Sequence, residues 1–474
     1  MYDGPASSHN AADRLVAPLT FRFGAAGALA PFALFLAGVG VLAFAGAPDE
    51  HGFWPVLLAA LTAGLLLSRD RTAWCETMLA GMGQPIVMLM IMAWLLAGVI
   101  GTVMQASGFV EALVWLAAQL HLNGGGYVAA AFLVCCLVST ATGTSFGTIL
   151  ICGPLLYPAG GASDAAPAWL AGAILAGATF GDSISPISDT TIASSGTQGA
   201  DIGGTVRRRL AYVLPAAAVA LVCYLAFGRT DGALAGTAAT AASSRGLPML
   251  VAPITVIALL LRGRHLVEGL LLGVLTAVVI AVGAGLVPWS AVFALDPANF
   301  TAKGLIIDGM TRALGVSVFT VLLVGLVATL KASGLIERLV AGDDGRRSWS
   351  VRDAETRIVA AVSGAVLLTT HSVVAILTVG DLANRIGGAA GLSPYRRANL
   401  LDVTVCTYPF LLPYFLPPIL TSSATAAGVA AGMPRISPFA AGMTNVYSWT
   451  LLAIVIAAVV TGYGRETAPP RPRD

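Results

Sequence analysis

Two acidic side chains stand where the surrounding residues read as hydrocarbon. Residues 177–195 run Gly-Ala-Thr-Phe-Gly-Asp-Ser-Ile-Ser-Pro-Ile-Ser-Asp-Thr-Thr-Ile-Ala-Ser-Ser, which sets Asp182 and Asp189 among a row of hydroxyls. Ionisable groups at membrane depth are costly and mark an ion or substrate path. An ionised carboxylate ringed by hydroxyls and free carbonyls is a hard oxygen site, suited to a small monovalent cation such as Na⁺. The same carboxylate takes a proton when the cation leaves, so Asp182 alone could serve two competing ligands. Asp189 is either a second Na⁺ ligand or a cap on the following segment. Pro186 lacks a donor and biases Ser185 away from helical angles, while Gly181 eases a turn, so a discontinuous helix is expected here.

A second polar break lies upstream, at Ser139-Thr140-Ala141-Thr142-Gly143-Thr144-Ser145-Phe146-Gly147-Thr148. Thr144 and Ser145 are its candidate ion ligands. The competing role for such hydroxyls is bonding the carbonyl four residues back within a helix. Later in the chain, Leu368-Thr369-Thr370-His371-Ser372 interrupts an apolar run and makes Thr370 and His371 candidates. His371 could relay protons, its unperturbed pKa being about 6.5, or sit as a neutral imidazole bonded to a serine. Asn399, Asp402, Thr404 and Thr407 precede a Pro-rich stretch at 408–414, and Asp402 competes between a direct role and loop capping.

The elements that carry these residues are membrane helices. The 474-residue chain is 57% hydrophobic and 11% charged, with mean hydropathy +0.84, against about 25% charged in soluble proteins. Apolar segments recur at 23–46, 52–68, 86–104, 107–120, 124–160, 167–180, 209–228, 247–261, 265–285, 314–330, 356–380, 408–420 and 447–462. Several are too long or too short for one plain crossing. The expectation is an all-α polytopic membrane protein of about 10–13 membrane elements, with broken helices or re-entrant hairpins where protein or water covers the open backbone. A net charge of +2 gives no electrostatic case for nucleic acid. The six cysteines lack metal-site spacing and read as apolar fillers. Residues 1–22 form a polar start without signal-peptide order, 23–462 a single transporter domain, and 463–474 a disordered Pro/Arg-rich tail.

Arginines cluster at 69–71, 207–209, 262–264 and 346–357, whereas Asp49 and Glu50 follow the first span. One threading puts every Arg-rich connection and the N-terminus inside and the 47–51 turn outside. Ala106-Ser107-Gly108-Phe109-Val110-Glu111 reappears as Ala332-Ser333-Gly334-Leu335-Ile336-Glu337, each copy after a span preceded by Gly-Met (81–82 and 309–310). Under that threading the halves, about 81–228 and 309–462, are inverted copies, an arrangement of ion-coupled transporters with sites at the repeat interface. Extending the repeat without gaps sets Thr370 opposite Thr144 and His371 opposite Ser145. A short gap sets Asp402 opposite Asp182. The recurring Glu111 and Glu337 suggest a structural job.

With these residues in view, the chain resembles the NhaC-type sodium/proton antiporter family, within the larger ion-transporter superfamily. The resemblance is carried by Gly181-Asp182, Ser185-Pro186-Ile187-Ser188-Asp189-Thr190-Thr191 and Ser194-Ser195, and by Thr142-Gly143-Thr144-Ser145. It extends over roughly 25–460. It implies a secondary antiporter in a bacterial cytoplasmic membrane that expels Na⁺ for protons by alternating access, without a cofactor. The partners implied are the two ions and lipid, with a homodimer as an option. It carries the ion-coordinating role onto Asp182, Ser185, Ser188, Asp189 and Thr190. The second half departs from the family: where an acidic pair is usual, Tyr395–Asp402 has Leu401 before Asp402. Relatives of this family include exchangers of organic solutes such as malate and lactate, which makes a Na⁺- or H⁺-coupled carrier of a small carboxylate or amino acid the alternative. Such a carrier calls for a cationic group near the midplane; the sequence places no arginine there, and His371 or the ends of the broken helices are the groups that could supply positive potential. A channel or a membrane hydrolase fits less well: there is no Gly-x-Ser-x-Gly within residues 177–195.

Overall fold

The computed structural model describes residues 18–44, 50–122, 124–186, 188–230, 243–262, 264–297, 299–335 and 350–467. Asp49, Ile187, the second repeat copy from Ile336 onward with Glu337, and Arg346 and Arg347 lie outside the described residues, as do most of the polar start and the end from 468.

The fold is all-α. Its one described sheet is a hairpin of Ala294–Asp296 against Thr301–Lys303, Ala294 facing Lys303. Six described helical stretches have the length and apolarity to cross a membrane: Ala25–Leu42, Val87–Ala106, Pro167–Gln198, Ile202–Phe227, Leu266–Gly283 and Leu305–Ala332. Further apolar helices are shorter, 10–17 residues. The reason is local. Two helices meet end to end at Gly143–Thr144, between Gly125–Thr142 and Ser145–Ala159. The same happens at 185–188, between Pro167–Ile184 and Asp189–Gln198, and at Thr370–His371, between Val351–Thr369 and Ser372–Ala389.

Side chains and backbone explain each break. Gly143 adopts φ +69°, a left-handed angle that costs glycine nothing. Thr144 then turns extended and its hydroxyl accepts the Gly147 N–H at 3.3 Å, capping the next helix. At Thr370 the same left-handed angle (φ +54°) falls on a threonine, and the following His371 is extended. The helix Pro167–Ile184 stops at Ser185, as the proline that follows requires.

The core around these breaks is built by close helix approach. Gly177 and Gly181, four residues apart, face Gly125–Thr142 so tightly that a Cβ on Gly177 would lie 2.5 Å from Cys135 Cβ and from the Phe132 carbonyl. The gap lets Ser139 Oγ donate to the Ala178 carbonyl at 2.6 Å. Small residues at such spacing are how membrane helices bury backbone against backbone. Outward faces carry exposed Leu214, Val222, Leu225, Leu275, Val279 and Ile456, a surface that suits lipid.

Within the expected tail from 463, the described residues up to 467 are tied to the helices, which corrects that part of the expectation. Glu466 pairs with Arg208 at 2.7 Å and its carbonyl accepts the Ser393 N–H at 3.0 Å. Arg465 joins the buried Glu355 at 2.6 Å, where Arg396 also binds at 2.8 Å. A buried carboxylate needs such partners, and the tail supplies one of them. Likewise Leu19 and Phe21 at the end of the polar start are buried, the Leu19 N–H donating to the Ala332 carbonyl at 2.8 Å.

Candidate functional site

Asp182 lies in the last turn of Pro167–Ile184 and points at two other elements. Ser145 Oγ donates to its Oδ2 at 3.1 Å and Ser188 Oγ to its Oδ1 at 2.6 Å. Ser188 Oγ also lies 3.1 Å from Thr190 Oγ1. The carboxylate therefore ties the 143–144 break to the 185–188 break. Both breaks open onto one cavity of about 290 Å³, lined by Asp182, Asp189, Thr190, Thr144, Ser145, Thr370 and His371 together with apolar Met90, Trp94 and Leu150. Three interrupted helix pairs, two from the first half and one from the second, meet at a single space.

Within that space the groups differ in state. Asp189, in the first turn of Asp189–Gln198, is exposed to the opening. An acidic group there also complements the positive end of the helix. The His371 Nδ1 in the lining is buried with no hydrogen-bond partner, and so is the Ser185 hydroxyl, which does not line the cavity. Thr370 Oγ1 donates to the neighbouring Thr369 carbonyl at 2.8 Å. The backbone sets a correspondence one residue away from the ungapped repeat. Gly143 (φ 69°, ψ 17°) and Thr144 (φ −140°, ψ 123°) match Thr370 (φ 54°, ψ 16°) and His371 (φ −138°, ψ 119°). His371 thus occupies the place of Thr144, as the residue preceding a helix, but makes no side-chain cap.

Asn399 and Asp402 do not line the cavity. They lie on Pro394–Val405, fully buried, and both bind Arg209, which was expected in a loop. Helix Ile202–Phe227 begins early, its N-terminus capped by Asp201, so Arg207 and Arg208 remain outside while Arg209 turns inward and is 0% exposed. Its Nη2 pairs with Asp402 Oδ2 at 2.8 Å. Its Nε donates to Asn399 Oδ1 at 2.9 Å, and its Nη1 to the Ser183 carbonyl at 2.7 Å and Thr191 Oγ1 at 2.8 Å. Ser194 Oγ donates to Asp402 Oδ2 at 2.9 Å. The signal was legible: Thr205, Arg209, Tyr212, Ala216 and Ala220 form a buried stripe at helical spacing. Thr404 and Thr407, read beside them, bond carbonyls of their own segment.

A second cavity, about 410 Å³, continues beyond the first along the same helices. Trp94 and Leu150 line both. Basic His51, Arg312 and Arg435 line the second one.

Broken helices packed around a carboxylate and hydroxyls, inside an apolar exterior, define a polytopic membrane protein with a buried polar site. Residues 14–229, which hold both first-half breaks, match the model of the Na⁺/H⁺ antiporter family. Over 303 residues it is 27% identical to the Na⁺/H⁺ antiporter NhaC of Alkalihalophilus pseudofirmus, covering 60% of this chain and 64% of that relative. It is 31% identical to the NhaC of Bacillus subtilis over 32% of each chain. It is also 32% identical to the malate-2H⁺/Na⁺-lactate antiporter of B. subtilis over 26% of each. Each of these alignments spans less than two thirds of the relative's own length.

Proposed function

We propose that the protein is a secondary active Na⁺/H⁺ antiporter that expels sodium in exchange for protons by alternating access. The observation that carries this reading is Asp182, held between the Ser145 and Ser188 hydroxyls at a cavity shared by three helix breaks. When Asp182 is protonated, the two hydroxyls and the carboxyl form a closed hydrogen-bonded set. When it is ionised, the hydroxyls can turn their lone pairs toward a cation, and Ser188, Thr190 and Asp189 add oxygens around it. One charge site with two exclusive ligands is enough for exchange, with no cofactor involved. Names of two relatives agree on Na⁺ and H⁺.

The two halves, 81–228 and 309–462, act as inverted repeats in this reading, supported by the matched break angles at 143–144 and 370–371. The N-terminus faces the cytoplasm of a bacterial inner membrane, as the arginine distribution favours. Trp94 and Leu150 separate the ion cavity from the vestibule toward His51, which is the outer side in this threading.

A carrier of a small carboxylate is the second reading, favoured by the basic lining of that vestibule and by one relative's name. The buried guanidinium of Arg209 does not support it, since Asp402 already neutralises its charge.

The test is purified protein in liposomes with a trapped pH dye and an imposed proton gradient, given NaCl, KCl, LiCl or small organic acids in turn. A Na⁺-triggered pH change that Asp182→Asn abolishes is the expected result. A response to an organic acid alone would replace the antiporter reading with the second.

A further inference from the structure

We propose that Arg209 is a positioning residue that sets the affinity of the Asp182 site by holding the two sides of the 185–188 break in register while itself anchored to the second half of the chain. This rests on the antiporter reading for its transport consequence, though not for its structural one.

Arg209 touches the break on both sides. Its Nη1 donates to the Ser183 carbonyl, one residue after Asp182 and on the same helix, at 2.7 Å. The same nitrogen donates to Thr191 Oγ1, one residue after Thr190 and on the following helix, at 2.8 Å. Ser188 and Thr190 thus lie between two anchor points gripped by a single nitrogen, and Asp182 directly precedes the first of them. Among the described residues the backbone crosses that gap with the Ser188 N–H donating to the Ser185 carbonyl at 3.2 Å, so the guanidinium reinforces a ladder that is interrupted there.

The guanidinium is itself fixed by Pro394–Val405. Asp402 takes its charge at 2.8 Å, Asn399 takes Nε at 2.9 Å, and Asn399 Nδ2 donates to the Thr205 carbonyl at 3.2 Å, closing the ring back onto the arginine's own helix. Ser194 Oγ, on the far side of the break, binds Asp402 at 2.9 Å. All four groups of this cluster are buried, with Arg209 and Asp402 at 0% exposure. A planar fork with fixed donors suits this task and an ammonium does not, because lysine offers one point where four acceptors need to be met. Movement of the 394–405 helix, in the second half, is then transmitted to the break that holds Asp182. The ion's carboxylate reports on a helix it does not touch.

The experiment compares wild type, Arg209→Lys, Arg209→Gln, Asp402→Asn and the charge-neutral Arg209→Met/Asp402→Leu pair by two measurements. Na⁺ titration of exchange in liposomes separates the half-saturating concentration from the maximal rate. Hydrogen exchange in detergent reads backbone opening at residues 183–195 without Na⁺ transport being involved. Arg209→Lys is expected to raise the half-saturating Na⁺ about tenfold or more, what loss of one charged hydrogen bond implies, with the maximal rate changed far less. Its exchange protection should fall at 183–195 and stay unchanged in distant helices. The neutral pair should restore folded yield, where a lone Arg209→Gln leaves Asp402 buried without its partner, yet should not restore Na⁺ affinity. Unchanged protection at 183–195 in folded Arg209→Lys would overturn the proposal. So would a fall in rate that follows folded yield at constant half-saturation, which is the mark of a scaffold alone. If the wild type ignores Na⁺, the antiporter reading fails while the hydrogen-exchange result still decides the role of Arg209.

Discussion

Replacing Gly177 or Gly181 with alanine should damage the site without touching it. A Cβ at 177 would sit 2.5 Å from Cys135 Cβ and the Phe132 carbonyl oxygen and 3.0 Å from the Cys136 nitrogen. Carbon contacts are comfortable at about 3.5 Å or more, so the helix Pro167–Ile184 has to retreat by roughly 1 Å. The obstacles at 181 are the Ser139 and Thr140 backbone, which cannot rotate away. Overpacking of this kind costs about 1–3 kcal/mol. Retreat also stretches the 2.6 Å bond from Ser139 to the Ala178 carbonyl, worth about 1 kcal/mol more. Asp182 follows Gly181 in the chain, and its 3.1 Å bond reaches Ser145 at the start of the helix beyond the 143–144 break. A shift of about 1 Å takes it out of hydrogen-bond range, and a misplacement of that size can cost about 100-fold in rate. The assay is Na⁺-driven exchange in liposomes beside thermal unfolding in detergent, with Gly364→Ala as control. Gly364 lies in Val351–Thr369 with open space around it, so alanine there should be neutral or stabilising. Wild-type melting and exchange in both Gly177→Ala and Gly181→Ala would show that the interface yields and that the packing argument is wrong.

Two other outcomes follow from the same geometry. Trp94→Ala combined with Leu150→Ala should join the two cavities and let protons leak through Na⁺-free liposomes, read as faster decay of the imposed gradient; decay at the wild-type rate would mean the seal lies elsewhere. On an exposed turn, the Tyr395 hydroxyl donates to Asp201 and, with the Gly204 N–H, holds that carboxyl below its usual range. A depressed carboxylate lends stability that is present above its unfolded value of about 3.9 and is lost as pH falls through the folded value. Tyr395→Phe should therefore melt earlier than wild type near neutral pH, with the difference closing in acid. A gap in melting temperature that persists unchanged below the Asp201 titration would point to packing of the Tyr395 ring against Arg208 instead.

Residues 177–195 announced their break in advance because proline, glycine and carboxylates each have a local effect that needs no partner. Proline removes a donor wherever it stands, and Gly143 accepts a left-handed turn on its own account. The hydrophobic runs likewise declared a membrane protein, since burial of apolar surface scales with composition and length. The neighbours of each polar group were another matter. Thr370 and His371 gave no sign that their break copies 143–144 with an offset of one residue, because backbone angles depend on the packing around them. Asp402 looked equivalent to Asp182 in sequence, and the fold made them opposites: one carboxylate faces a cavity with hydroxyls, the other is closed off by an arginine. Local chemistry alone determined which residues could bind an ion. Only the tertiary structure decided which carboxylate faces the cavity, because the Arg209 charge, far from Asp402 in the chain, comes to lie 2.8 Å from it only once the helices pack.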